Sequence, residues 1–106
     1  MMTNLVNFIF YEDGFSTEFD KIRMFYKWNE VEEIIAYKVD IFAEDVICIE
    51  LFFKDYKLLF TEETKGWDEF LDRMHHYFPQ INQNWRFDIV KPAFARNETL
   101  IFRSER

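Results

Sequence analysis

The chain has 106 residues, with 20 acidic and 13 basic side chains and a formal net charge of -7. That length fits a single domain, 1–106, with room for one core and none for a large enclosed active site. A hydrophobic fraction of 49% with 21% aromatics excludes an intrinsically disordered chain, and the negative charge disfavours nucleic acid, whose phosphates attract Lys and Arg.

The first element is predicted to be a β-hairpin. Val6-Asn7-Phe8-Ile9-Phe10-Tyr11 and Phe15-Ser16-Thr17-Glu18-Phe19 flank Asp13-Gly14, a favoured pair for tight turns because both central residues need positive φ. Ile22, Met24, Tyr26 and Trp28 then recur at every second position, the period of one sheet face. A single turn is expected at 29–32, followed by a strand over Glu33 to Phe42, where Ile35, Tyr37, Val39 and Ile41 alternate. Ala43-Glu44-Asp45 reads as a turn into the near-continuous apolar run Val46 to Phe53, the pattern of a central strand. Lys54-Asp55-Tyr56 turns into a further strand, Lys57 to Glu62. Short turns throughout imply antiparallel strands in meander order.

The period then changes. Trp67, Phe70, Leu71, Met74, Tyr77 and Phe78 form the apolar stripe of a helix, with Thr64 as N-cap, Asp68 and Glu69 at the positive end of its dipole, and Pro79 as the stop. An amphipathic helix of this kind must lie against the sheet. Ile81 and Trp85 fit one short helical turn, Phe87 to Phe94 is expected to be extended because Pro92 disfavours helix at Lys91, and Thr99 to Phe102 reads as an edge strand. The fold class is therefore α+β: an antiparallel meander sheet or partial barrel of about five to seven strands, closed by one amphipathic helix at residues 65–78.

The single Cys48 lies among Val46, Ile47 and Ile49, where a thiol behaves as a small buried hydrophobe, as suits a reducing cytoplasm. The N-terminal residues lack the features of a secretory signal, and no apolar run approaches the ~18 residues of a membrane span, so a cytoplasmic protein without membrane partners is expected. Charge is uneven: residues 1–85 carry net -9 and residues 86–106 net +2, a distribution that either steers a basic protein towards the body of the chain or simply keeps an aromatic-rich protein soluble.

Candidate chemistry is sparse. Asp68, Asp72 and His76 share one helix face with metal-ligand spacing, but on the polar side, so solvated surface is the better reading and no metal or other cofactor is assigned. Carboxylate pairs occur at Glu32-Glu33, Glu44-Asp45 and Glu62-Glu63, mostly where strands end and charges are hydrated. Lys38 and Asp40 interrupt an apolar strand on one face, as an ion pair or cross-strand partners on the exposed side would. Cys48 lacks the electropositive surroundings that make a thiolate, and two glycines cannot build a phosphate-binding loop. What stands out is the number of rings, 14 Phe, 5 Tyr and 3 Trp, more than one small core hides. Phe25, Tyr26, Phe53, Tyr56, Phe94 and Phe102 are the candidates for an exposed aromatic protein interface.

Trp28-Asn29-Glu30-Val31, Ile35-Ala36-Tyr37-Lys38-Val39-Asp40, the stretch from Glu62 to Phe70, Phe78-Pro79 with Trp85, and the stretch from Lys91 to Thr99 resemble a group of small bacterial cytoplasmic proteins, over about residues 26–103. The group has no assigned activity, so the resemblance implies a domain and no catalytic residue. A meander followed by a helix also resembles a pleckstrin-homology-like barrel, although an anionic headgroup needs a basic pocket that the net charge opposes. The resulting expectation is a non-catalytic protein-binding domain, acting on a basic protein or on a second copy of itself as a homodimer, with a toxin-immunity type inhibitor as its sharper form. The alternative is a small enzyme using Asp40, Glu62, Glu63 or the Asp72 and His76 pair in a cleft.

Overall fold

In a computed structural model, which describes residues 7–41, 44–90 and 98–105 with only the backbone at 40 and 41, the first three strands are β1 (Asn7–Phe10), β2 (Gly14–Phe19) and β3 (Ile22–Lys27). They pair antiparallel in the order β1-β2-β3. The hairpin expected at Asp13-Gly14 forms, but its turn is not the left-handed one. Neither residue has positive φ, and the Tyr11 N–H closes the turn by donating to the Gly14 carbonyl at 2.8 Å. Gly14 is required for a different reason: a Cβ there would sit 2.1 Å from the Tyr26 carbonyl oxygen of β3. The left-handed two-residue turn lies between β2 and β3, at Asp20 and Lys21, with φ of 53° and 67°.

The turn expected at 29–32 is a 3-10 turn at Trp28–Glu30. After it come β4 (Glu33–Ile41), β5 (Glu44–Phe52) and β6 (Lys57–Thr61). Glu44 and Asp45, expected in a turn, instead begin β5, where they pair with Ile41 and Asp40. The last strand, β7 (Thr99–Arg103), returns to pair with β4, so the second sheet has the order β6-β5-β4-β7 and the meander ends at β6. One continuous sheet was the expectation; the described residues form two antiparallel sheets, because the Trp28–Glu30 turn carries the chain out of the first before β4 starts the second.

The helix α1 (Trp67–Tyr77) buries Trp67, Phe70, Leu71 and Met74, as the stripe requires. Its N-cap is Gly66, with φ of 89°, rather than Thr64. Thr64 is engaged earlier, its hydroxyl accepting the Thr61 N–H at 3.2 Å as the chain leaves β6. Residues 85–89, of which the part from Phe87 was expected to be extended, form a second helix, α2 (Trp85–Ile89). Trp85 and Ile89 are both buried at i, i+4 spacing, whereas the restriction from Pro92 acts on Lys91 alone. Residues 91–94 lie outside the described part.

Phe70 sits at the centre of the core, fully buried and within ring contact of Phe8 in β1, Phe15 in β2, Trp28 and Phe60 in β6. Both sheets and α1 therefore share one aromatic core. On the opposite face of the second sheet, Tyr37, Val46 and Cys48 form a smaller buried cluster. Lys38 is not on an exposed face. Alternation places it with Ile34 and Ala36 on the core side, fully buried, where its Nζ donates to the Val90 carbonyl at the end of α2 at 2.6 Å and approaches Asp45 Oδ2 at 3.4 Å. Those acceptors make the burial of a cation tolerable. No helix among the described residues is long and apolar enough to cross a membrane.

Candidate binding surface

The connection from β5 to β6 is a tight turn in which the Phe53 N–H donates to the Tyr56 carbonyl at 2.8 Å. Closing the turn stacks the two rings, with centroids 4.8 Å apart and planes within 14°. Tyr26, near the end of β3, completes the group at 5.8 Å from Phe53 and 6.1 Å from Tyr56. Tyr26 and Phe53 are buried, but Tyr56 stays 48% exposed at the rim.

Carboxylates share a cleft with that ring. Glu30 comes from the 3-10 turn, and Glu32 follows it, held by its N–H donating to the Phe52 carbonyl at 2.7 Å. With Phe53, Lys54, Asp55 and Tyr56 they line a shallow cleft of about 340 Å³. A neighbouring cleft of about 450 Å³ shares Glu32 and Phe53 and continues to Glu33, Phe52, Arg103 and Ser104. Arg103 is committed there, its Nε donating to Glu33 at 3.0 Å. Glu30, Glu32 and Asp55 form no ion pair among the described residues. The Tyr56 phenol is pushed above its ordinary pKa, chiefly by the desolvation that stacking brings and then by Tyr26, Glu30 and Asp55, so its hydroxyl remains a donor at neutral pH. An electron-rich ring face beside three carboxylates, which outnumber the one lysine, Lys54, in the lining of the cleft, attracts a cationic side chain.

The six candidate interface rings do not form one patch. Tyr26, Phe53 and Tyr56 come together. Phe25 points to the opposite face of β3, where it is 67% exposed and meets Tyr11 at 6.1 Å. Phe102 is not a surface residue at all, because β7 places it against Phe78, 4.1 Å away, in the core. Phe94 lies outside the described residues. The carboxylates of the rim were missed as a group because Glu30 and Asp55 are far apart in sequence. Only the β4–β5 register, with Glu33 opposite Phe52, brings their neighbourhoods together.

The residues considered for catalysis are dispersed. Asp68, Asp72 and His76 are exposed on α1, and no group of three or more His, Cys, Asp or Glu among the described residues is placed to hold a metal ion. Glu62 uses its carboxylate to accept the Ile47 N–H at 2.9 Å beside β5, Glu63 is exposed, and the side chain of Asp40 is not described. None of these residues lines either cleft at Glu32. Cys48 is buried, with Sγ 3.8 Å from the Val46 carbonyl. The other histidine, His75, has a structural partner: the Trp85 indole N–H donates to its Nε2 at 3.0 Å, tying α1 to α2. Burial first, and the Arg86 charge second, lower the His75 pKa, against an opposing pull from Asp72.

Comparisons with protein-family models, with curated proteins and with solved structures find no match to this chain.

Proposed function

We propose that the protein is a non-catalytic binding module that receives a basic segment of another protein on the Tyr56 rim. The observation that carries this reading is a half-exposed tyrosine ring, stacked on Phe53, in a cleft lined by Glu30, Glu32 and Asp55, which form no ion pair among the described residues, against the single positive charge of Lys54 in the same lining. A partner Lys or Arg there gains a cation–π contact and a charge-assisted hydrogen bond together. A cation–π contact is worth only about 0.5–2 kcal/mol, so affinity requires several basic side chains in one chain rather than a small free cation. The net charge of -7 adds long-range steering towards such a partner.

The narrower form of this proposal is an immunity-type inhibitor, a small acidic protein that covers a basic toxin in the cytoplasm. The resemblance to small bacterial cytoplasmic proteins and the burial of Cys48 among apolar residues support that setting. We read the two sheets around their shared aromatic core as a partial barrel of pleckstrin-homology-like character, with both helices inserted before the last strand rather than after it.

The test is titration with an Arg/Lys-rich peptide and with an acidic peptide of equal length, at low and at raised salt, followed by calorimetry. The basic peptide is expected to bind at low salt and to weaken as salt rises. Combining Tyr56→Ala with Glu30→Gln should weaken it by about tenfold, since an aromatic anchor and its charge partner are lost together. Binding that the double variant leaves unchanged would mean general attraction to an acidic surface, and the rim reading would be abandoned.

A further inference from the structure

The two clefts that share Glu32 run across one end of the second sheet. The Glu32 N–H donates to the Phe52 carbonyl on β5, and its carbonyl accepts the Ser104 N–H beside β7, both at 2.7 Å. The backbone where the clefts join is therefore held from both sides. Lys57 on β6, Phe52 on β5, Glu33 on β4 and Arg103 on β7 then form one row of paired residues. Burial of Ile34 and Leu51 on the core side turns Glu33 and Phe52 to the outer face of this sheet.

The chain's own side chains show what the second cleft accepts. The Arg103 Nε donates to Glu33 Oε2 at 3.0 Å, and the Lys57 ammonium lies 5.6 Å from the centre of the Phe52 ring. A guanidinium on a carboxylate and a cation over a ring are the same two contacts that the Tyr56 rim offers. Neither internal cation is sealed in, since the side chains of Arg103 and Lys57 are 66% and 57% exposed. An ion pair so open to water contributes little to stability, so a cation from outside replaces it at small cost.

We infer that the partner segment carries two arginines four residues apart, one on Tyr56 and the other displacing Arg103 from Glu33, an inference that rests on the basic-partner reading of the rim. The spacing follows from the sheet. Tyr56 directly precedes Lys57 on β6 and Glu33 stands on β4, two strand spacings away, or roughly 10 Å. Residues two apart keep to one side of an extended segment but span only about 7 Å, whereas residues four apart keep to one side and span about 13 Å. Arginine is selected over lysine because its planar fork holds a carboxylate through two parallel bonds and its flat face rests on a ring such as Phe52. Arg103 is then an internal competitor for the second site.

Calorimetry with three peptides of equal length tests this: one with a single arginine, one with two arginines four residues apart, and one with two arginines two apart. The four-residue spacing is expected to bind about fivefold tighter than the single arginine. Glu33→Gln should remove that gain and leave the single-arginine peptide within about twofold of its original affinity. Arg103→Ser should enlarge the gain by about threefold, because the competitor is gone. Lys65→Ser, at an exposed position in neither cleft, changes the net charge equally and should not enlarge it. Circular dichroism checks that each variant is folded. A gain that survives Glu33→Gln, that the two-residue spacing matches, or that Lys65→Ser enlarges as much as Arg103→Ser does would overturn the inference and leave the rim reading in place. Failure of every arginine peptide to bind, or binding that Tyr56→Ala leaves unchanged, would overturn the rim reading and this inference with it.

Discussion

Phe70 and Tyr56 are both held by contacts with other rings, yet Phe70 is fully buried and Tyr56 is 48% exposed. The difference lies in what covers them. α1 drives Phe70 between the two sheets, where rings from β1, β2, β6 and the Trp28 turn enclose it. Tyr56 stands at the tip of the β5–β6 turn, with Phe53 beneath one face and carboxylates at its margin. Aromatic content alone therefore says little about role. A ring under a helix contributes to stability, and a ring at a turn tip is free to contribute to recognition.

The sharpest way to break this comparison is to truncate the sealed ring. Phe70→Ala should destabilise the protein by about 3–5 kcal/mol, because the walls of the cavity belong to different elements and cannot all collapse inward. Denaturant unfolding would measure it. A loss below about 1 kcal/mol would show that the core around α1 is loosely packed.

A smaller effect is expected at the seam between α1 and α2. His75 accepts the Trp85 indole N–H through Nε2, so it must be neutral there, and its folded pKa is lowered from 6.5. The unfolded chain then takes up the proton first as pH falls. This contribution is complete above about pH 6.5 and is lost progressively below it. Thermal melts across that range should show a falling midpoint that is less steep in His75→Gln, which keeps an acceptor but takes up no proton. Equal slopes would mean that the indole bond does not depend on the charge of His75.

The smallest expected change in stability is at the open ring. Tyr56→Ala should cost less than about 1 kcal/mol, since half of the side chain is already hydrated. The same substitution is expected to reduce affinity for a basic peptide, giving a binding loss without an unfolding loss. A large drop in stability instead would place Tyr56 with Phe70 as a packing residue and erase the distinction between the two regions.

Several elements were legible because their signals are local. The stripe Trp67, Phe70, Leu71 and Met74 repeats at helical spacing, and four of its residues are buried as that spacing demands. The alternation in β4 and the apolar run in β5 likewise marked strands. Other readings failed where a tertiary contact outweighed the local preference. Gly14 was read as a turn residue, but the close approach of the Tyr26 carbonyl is what requires it. Lys38 was placed on a surface by its charge, although the carbonyl ending α2 draws it inside. Phe87 to Val90 were read as extended from a proline whose effect does not reach them, while the burial of Trp85 and Ile89 makes residues 85–89 helical.

The sequence by itself determined the α+β class, the strand periods, the α1 face and the acidic character of the chain, because each depends on neighbouring side chains or on composition. Only the tertiary structure decided that the strands divide into two sheets, that β7 joins β4, and that Phe102 is core while Phe25 is surface. The same holds for the meeting of Glu30, Glu32, Asp55 and Tyr56 at one rim. The physical reason is distance along the chain: strand register and helix docking bring remote residues together, and no local pattern encodes which remote residue will arrive.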